Sequence, residues 1–154
     1  MNFSFESILC PEKEFEALNT LIKDNHLESS NIILEVMSPD IDIPKDHLKQ
    51  IVGYLKDKGY RISLDKMDAL EATLEVFEIV QPDYVKLDMN LVRNIQIDSY
   101  NQQKVKRVID IANASQCQVI ALGLETEKEK DWVENAGVDL VQGFFFFEPT
   151  FFEI

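Results

Sequence analysis

An α/β fold built on a parallel sheet is what this sequence predicts, and three observations predict it. Short apolar runs alternate with amphipathic stretches along the whole chain, the pattern of strands separated by the helices that cover them. The amphipathic stretches keep a helical period. Leu48, Ile51, Val52 and Leu55 fall at i, i+3, i+4 and i+7, and Val105, Val108, Ile109 and Ala112 repeat that spacing. No linker, low-complexity tract or sequence repeat interrupts the alternation, so residues 1–154 read as a single domain.

The elements follow in order. Strands are expected at Asn2 to Phe5, Ile32 to Val36, Arg61 to Leu64, Tyr84 to Leu87, Gln118 to Ala121 and Leu140 to Phe144, each a short apolar or β-branched run bounded by polar residues. Phe15, Leu18 and Ile22 mark a short helix between the first two. Pro44 stands near the start of the helix that carries Leu48 to Leu55, and Gly59 just past its end. Trp132, with Val133 and Ala136, is expected on the buried face of a helix near the C-terminus. Phe144 to Phe147 extend the last strand, so alternate rings should point to opposite faces. Phe151 and Phe152 add to an apolar C-terminal patch, which suggests a protein contact.

Composition narrows the function classes. With 28 acidic against 15 basic side chains the net charge is −13, which repels nucleic acid and anionic membrane surfaces. The same field opposes an anionic ligand unless cations offset it. No apolar run is long enough to span a bilayer, and no basic-then-apolar leader opens the chain. The protein therefore reads as soluble and cytoplasmic, without a nucleic-acid or membrane partner. Cys10 and Cys117 match no metal or redox spacing and are read as free thiols rather than a disulfide. His26 and His47 lie in polar, helix-flanking contexts and are expected at the surface.

Four sequence blocks carry a more specific signal. They are Ile62-Ser63-Leu64-Asp65-Lys66-Met67-Asp68-Ala69-Leu70, Pro82-Asp83-Tyr84-Val85-Lys86-Leu87-Asp88, Val119-Ile120-Ala121-Leu122-Gly123-Leu124-Glu125-Thr126, and Gln142-Gly143-Phe144-Phe145-Phe146-Phe147-Glu148-Pro149. In order and spacing they resemble the EAL domain family, whose active members hydrolyse cyclic di-GMP at a two-metal site on a (β/α)8-type barrel. The resemblance implies an incomplete TIM-barrel-like fold of about six parallel strands. Asn2 matches the asparagine of the family's third strand, so the first two strands, and with them the E-A-L motif and its arginine, have no counterpart in these residues. Open sheet edges tend to be covered. A homo-oligomer, a rearranged segment of residues 1 to 12, or further chain beyond this sequence would each do so.

The family's chemistry needs carboxylates at the C-terminal ends of the strands, where metal ions activate water and neutralise charge on the phosphate. By resemblance, Asn2, Glu35, Asp65, Asp88 and Glu125 occupy positions of that site, and Lys86 matches the lysine that holds the attacking water. Three positions have lost their chemistry. Ser38 stands for a glutamate, Lys66 for an aspartate, and Leu122 for another glutamate. Asp68, Ala69 and Leu70 replace the flexible glycine-threonine segment after Asp65, with Asp68 a candidate helix cap.

The remaining polar groups have a plain structural reading, in which Glu35, Asp65 and Lys86 pair with one another in the old mouth of the barrel. The sharper reading is a single weak metal site at Glu35 and Asp65. For Asp88 and Glu125 a helix-start or salt-bridge role is expected. Together these expectations describe a catalytically inactive EAL-like domain without a cofactor, acting as a regulatory protein-interaction module and homo-oligomer. The alternatives are a cyclic di-GMP receptor that does not hydrolyse its ligand and a phosphodiesterase completed by another chain. Magnesium or manganese enters only with ligand binding or activity.

Overall fold

The computed structural model describes residues 2–3, 11–37, 44–67 and 73–148. Six parallel strands form one sheet in which spatial order equals sequence order: β1 Asn2–Phe3, β2 Ile33–Met37, β3 Arg61–Met67, β4 Tyr84–Leu87, β5 Gln118–Leu122 and β6 Leu140–Gln142. Parallel neighbours need crossovers, and helices provide them. These are α1 Pro11–Glu14, α2 Glu16–Asp24, α3 Lys45–Asp57, α4 Thr73–Val80, α5 Met89–Val92, α6 Ser99–Ala114 and α7 Glu127–Ala136. Among the described residues β1 and β6 each pair on one side only, so the barrel is incomplete.

The core lies between the sheet and its helices. Strand alternation sends Leu34 and Val36, Ile62 and Leu64, Val85 and Leu87, and Val119 and Ala121 outward, where all are fully buried. The helices meet them with the predicted stripes, Leu48, Ile51, Val52 and Leu55 from α3 and Val105, Val108, Ile109 and Ala112 from α6. Phe15 and Ile22 are buried too, and Asn19 ties the hydroxyls of Tyr54 and Tyr60 beside Phe15. Trp132 is half-buried and packs against this core, whereas His47 is half-buried rather than exposed.

Local signals explain the element ends. The Asp98 carboxylate accepts from the backbone N–H groups of Tyr100 and Asn101 and starts α6. Thr126 and Glu129 form a reciprocal capping box on α7, and Gly137 closes it at φ 94°.

The concave face of the sheet differs from a closed barrel, whose interior is packed solid. Ile33, Glu35, Asp65, Tyr84, Lys86, Ile120 and Leu122 are only half-buried there, and Gln118, Leu140 and Gln142 are exposed. Ser63 is the exception. It is fully buried, and its hydroxyl has no hydrogen-bond partner.

Two strand limits correct the sequence reading. β3 runs on to Met67, with a register shift against β4 between Leu64 and Met67 and Lys66 at φ 55°; a bulge here lengthens the strand where the sequence suggested a loop. β6 stops at Gln142 instead of reaching Phe144. The Leu124 N–H donates to the Gln142 carbonyl at 3.2 Å, the Phe145 N–H to the Leu124 carbonyl at 3.0 Å, and the Phe146 N–H to the Gly143 carbonyl at 3.1 Å. The chain therefore turns, and the four rings do not alternate across a sheet. Phe144, Phe145, Phe146 and Phe147 are 58, 39, 48 and 66% exposed. Ser38, Asp68, Cys10, Phe151 and Phe152 lie outside the described residues, as do residues 4–10 of the N-terminal segment; Asn2–Phe3 form the edge strand itself.

Candidate functional site

The C-terminal ends of β3 to β6 surround a hollow of about 280 Å³. Asp65 from β3, Lys86 from β4 and Leu122 from β5 line its walls, together with Glu125, Met89 from α5 and Phe144 after β6. Strand direction brings these distant residues to one end of the sheet, which is where α/β barrels place their chemistry. Gly123 also lines the hollow. At φ 75° it brings the chain close beneath α5, and a Cβ there would sit 2.7 Å from the Met89 Cβ.

Three of the sequence-predicted residues come together only in part. Lys86 forms an ion pair with Glu35, reaching from β4 across β3 to β2. Both side chains are largely shielded, which strengthens their attraction over that of a surface pair. Asp65 does not join them; its Oδ1 accepts from the Lys66 N–H at 2.9 Å. Lys66 is exposed at the bulge. Asn2 lies opposite Glu35 in the β1–β2 register.

Of the two roles expected for Asp88 and Glu125, Asp88 takes the helix start and Glu125 the salt bridge. The Asp88 carboxylate accepts from the Asn90 N–H at 2.7 Å and caps α5. Glu125 pairs with Arg93, and the guanidinium holds its carboxyl below the usual glutamate range while itself shifting upward.

Sequence reading missed Arg93 and Glu129. Glu129 is 1% exposed, and its carboxylate accepts from the backbone N–H groups of Asn94 at 2.8 Å, Glu125 at 3.0 Å and Thr126 at 3.0 Å. Burial pushes its pKa up, but those donors outweigh burial and hold it below the ordinary value. This one side chain fixes the loop carrying Glu125 to the segment after α5. The Thr126-x-x-Glu129 spacing was the available signal; nothing in the sequence pointed to Arg93.

A family model for the EAL domain matches residues 1–149. The chain belongs to the EAL domain family. It is similar to the blue light- and temperature-regulated antirepressor BluF of Escherichia coli K12, 29% identical over 122 residues, covering 79% of this chain and 30% of BluF. The probable cyclic di-GMP phosphodiesterase PdeG of the same organism is 26% identical over 151 residues, covering 97% of this chain and 29% of PdeG. The chain thus spans about 30% of the length of these two relatives. Among solved structures, a standalone EAL protein from Vibrio cholerae O395 in its c-di-GMP-bound form superimposes with a TM-score of 0.85 at 29% identity, covering 97% of this chain and 64% of that one. The EAL domain of Mycobacterium smegmatis DcpA has the same fold, with a TM-score of 0.86 at 21% identity, covering 96% of this chain and 66% of that one.

The metal ions that the family's phosphodiesterases imply can be tested against the side chains present. Glu35 is engaged by Lys86, Leu122 offers no oxygen, and Lys66 brings a positive charge to the end of β3. Among the described residues no three His, Cys, Asp or Glu side chains come together in a way that could hold a metal ion. Hard divalent cations need several oxygen ligands, and this donor set does not fit a pair of them. What the hollow offers is the Asp65 carboxylate, a lysine and a glutamate that are each ion-paired elsewhere, and the apolar side chains of Met89, Leu122 and Phe144.

Proposed function

We propose that this chain is a non-catalytic EAL domain that acts in cyclic di-GMP signalling as a regulatory protein-interaction module. The observation that carries the reading is the Glu35–Lys86 ion pair beside Leu122. A lysine neutralised by a glutamate is poorly placed to orient water, and a leucine can neither bind a cation nor accept a proton. Asn2, Asp65, Asp88 and Glu125 then serve as structural residues in a site whose chemistry has gone, and Ser38 and Lys66 belong with the losses. Magnesium or manganese is no resident cofactor in this reading.

Association is supported by the exposed aromatic run after β6. A relative named as an antirepressor supports regulation as a use to which an EAL-bearing chain is put. A second reading, a receptor that binds cyclic di-GMP without cutting it, draws on the hollow itself and on the c-di-GMP-bound neighbour.

Two measurements on the purified chain test these readings. The first is hydrolysis of cyclic di-GMP with magnesium or manganese, and no turnover is expected. The second is the melting temperature with and without cyclic di-GMP, which should stay constant; a rise that follows mass action would transfer the case to the receptor. Turnover that scales with protein and is lost in Lys86→Ala would sink the non-catalytic reading.

A further inference from the structure

The charges around the hollow at the strand ends are unequally matched. Its walls belong to β3 to β6 and the segments that follow them. Three lining residues carry charge, and two of them are already paired, Lys86 with Glu35 and Glu125 with Arg93. Asp65 is the third. Its Oδ1 accepts from the Lys66 N–H at 2.9 Å, and among the described residues no cation stands at ion-pair distance from it. One carboxylate is therefore left lining the space with its charge uncompensated.

Shape and polarity narrow the occupant further. Met89, Leu122 and Phe144 supply the apolar part of the lining, and the volume is about 280 Å³. That is more than the ~150 Å³ that holds a benzene ring and less than the ~300–1,000 Å³ usual for drug-sized ligands. It suits one long side chain. An anion is disfavoured twice, by Asp65 and by the net charge of −13, and the same field draws a cation in. An ammonium group is strongly hydrated, whereas a guanidinium is planar, weakly hydrated and able to stack on an aromatic ring while it meets a carboxylate. The apolar stem of an arginine also lies readily along apolar surface.

We propose that the hollow is a socket for an arginine side chain of a partner protein, with the guanidinium on Asp65 and the stem against Met89, Leu122 and Phe144. This rests on the interaction reading above and deepens it by naming the site and the chemistry of the partner. Leu122 offers no oxygen to a metal ion, but it gives an arginine stem the apolar wall it needs. Salt gives the contact a signature. Attraction between a chain of net charge −13 and a cation reaches far at low salt, where the screening length is ~30 Å, and much less far at physiological salt, where it is ~8 Å.

Amide NMR of the isotope-labelled full chain, titrated to tens of millimolar with a Gly-Arg-Gly peptide capped at both ends, tests this. Saturable shifts at Gly123, Gly143 and Phe144 are expected, with binding that weakens as salt is added. The same peptide with citrulline, which keeps the shape and loses the charge, should bind roughly tenfold more weakly or worse. Asp65→Asn should weaken the arginine peptide by a similar factor. Asp110→Asn makes the same change in net charge at an exposed position of α6 and should leave binding unchanged. If the amide spectrum shows that Asp65→Asn fails to fold, Leu122→Trp, which fills the hollow, should abolish the shifts. The absence of saturable shifts, equal binding of the citrulline peptide, or binding unmoved by the variants overturns the proposal. Each of those results leaves the non-catalytic reading standing, since that reading falls instead to hydrolysis of cyclic di-GMP.

Discussion

Replacing Glu129 with alanine tests how much of the site's shape one carboxylate holds. Three backbone N–H groups, from Asn94, Glu125 and Thr126, point at it within 3.0 Å, and the side chain is 1% exposed. Removing the acceptor leaves those donors without a partner, at about 1–3 kcal/mol for each that water cannot reach. Water will reach some, because Asn94, Glu125 and Thr126 are themselves exposed, so a loss of about 3 kcal/mol is expected for the set.

The pH dependence gives an independent check. The folded pKa lies below its ordinary value, so above the unfolded value of about 4.3 the native carboxylate contributes stability. Below that value the unfolded chain binds the proton first, and the contribution is lost as pH falls through the folded pKa. Urea unfolding from neutral pH to about pH 3 reads both effects. Wild type should lose stability on the acid limb, and Glu129→Gln should flatten that limb. A loss of less than about 1 kcal/mol in the alanine variant, or acid limbs that coincide, would refute the reasoning.

Other predictions test the turn and the ion pair. Gly143→Ala would put a Cβ 2.1 Å from the Leu124 carbonyl oxygen; backbone has little room to give, so a loss of about 3 kcal/mol or more is expected in urea unfolding. Loss of the exposed phenylalanine turn in that variant should also appear as a change in near-UV circular dichroism. For the Glu35–Lys86 pair, a double-mutant cycle with Glu35→Gln and Lys86→Met should give a favourable coupling of about 1 kcal/mol in thermal or urea unfolding. Zero coupling would mean the pair is no more than a surface contact.

The fold was legible because burial on one face of every strand imposes a pattern that sequence carries openly. The stripes on α3 and α6, the caps at Asp88 and Gly59, and the positions of the strands all follow from residue period and type. The end of β6 was not legible. Phe144 looks like strand by propensity, but the close approach of Gly143 to Leu124 is a contact between residues 19 positions apart, and it overrides local preference. The bulge at Lys66 was hidden likewise, since a lysine at φ 55° has no sequence signature. At the site, the changed residues could be read directly, whereas the partner of Lys86 was one choice among several. Glu35 won it over Asp65, whose Oδ1 faces the backbone of the bulge.

Strand order that equals sequence order has a consequence for how the molecule comes apart. Among the described residues each strand pairs only with its neighbours in sequence and no backbone pairing joins β1 to β6, as in a short solenoid. Opening can then start at either end and advance strand by strand, where a closed barrel would have to break a ring. Amide protection in hydrogen exchange should rise from β1 and β6 towards β3 and β4.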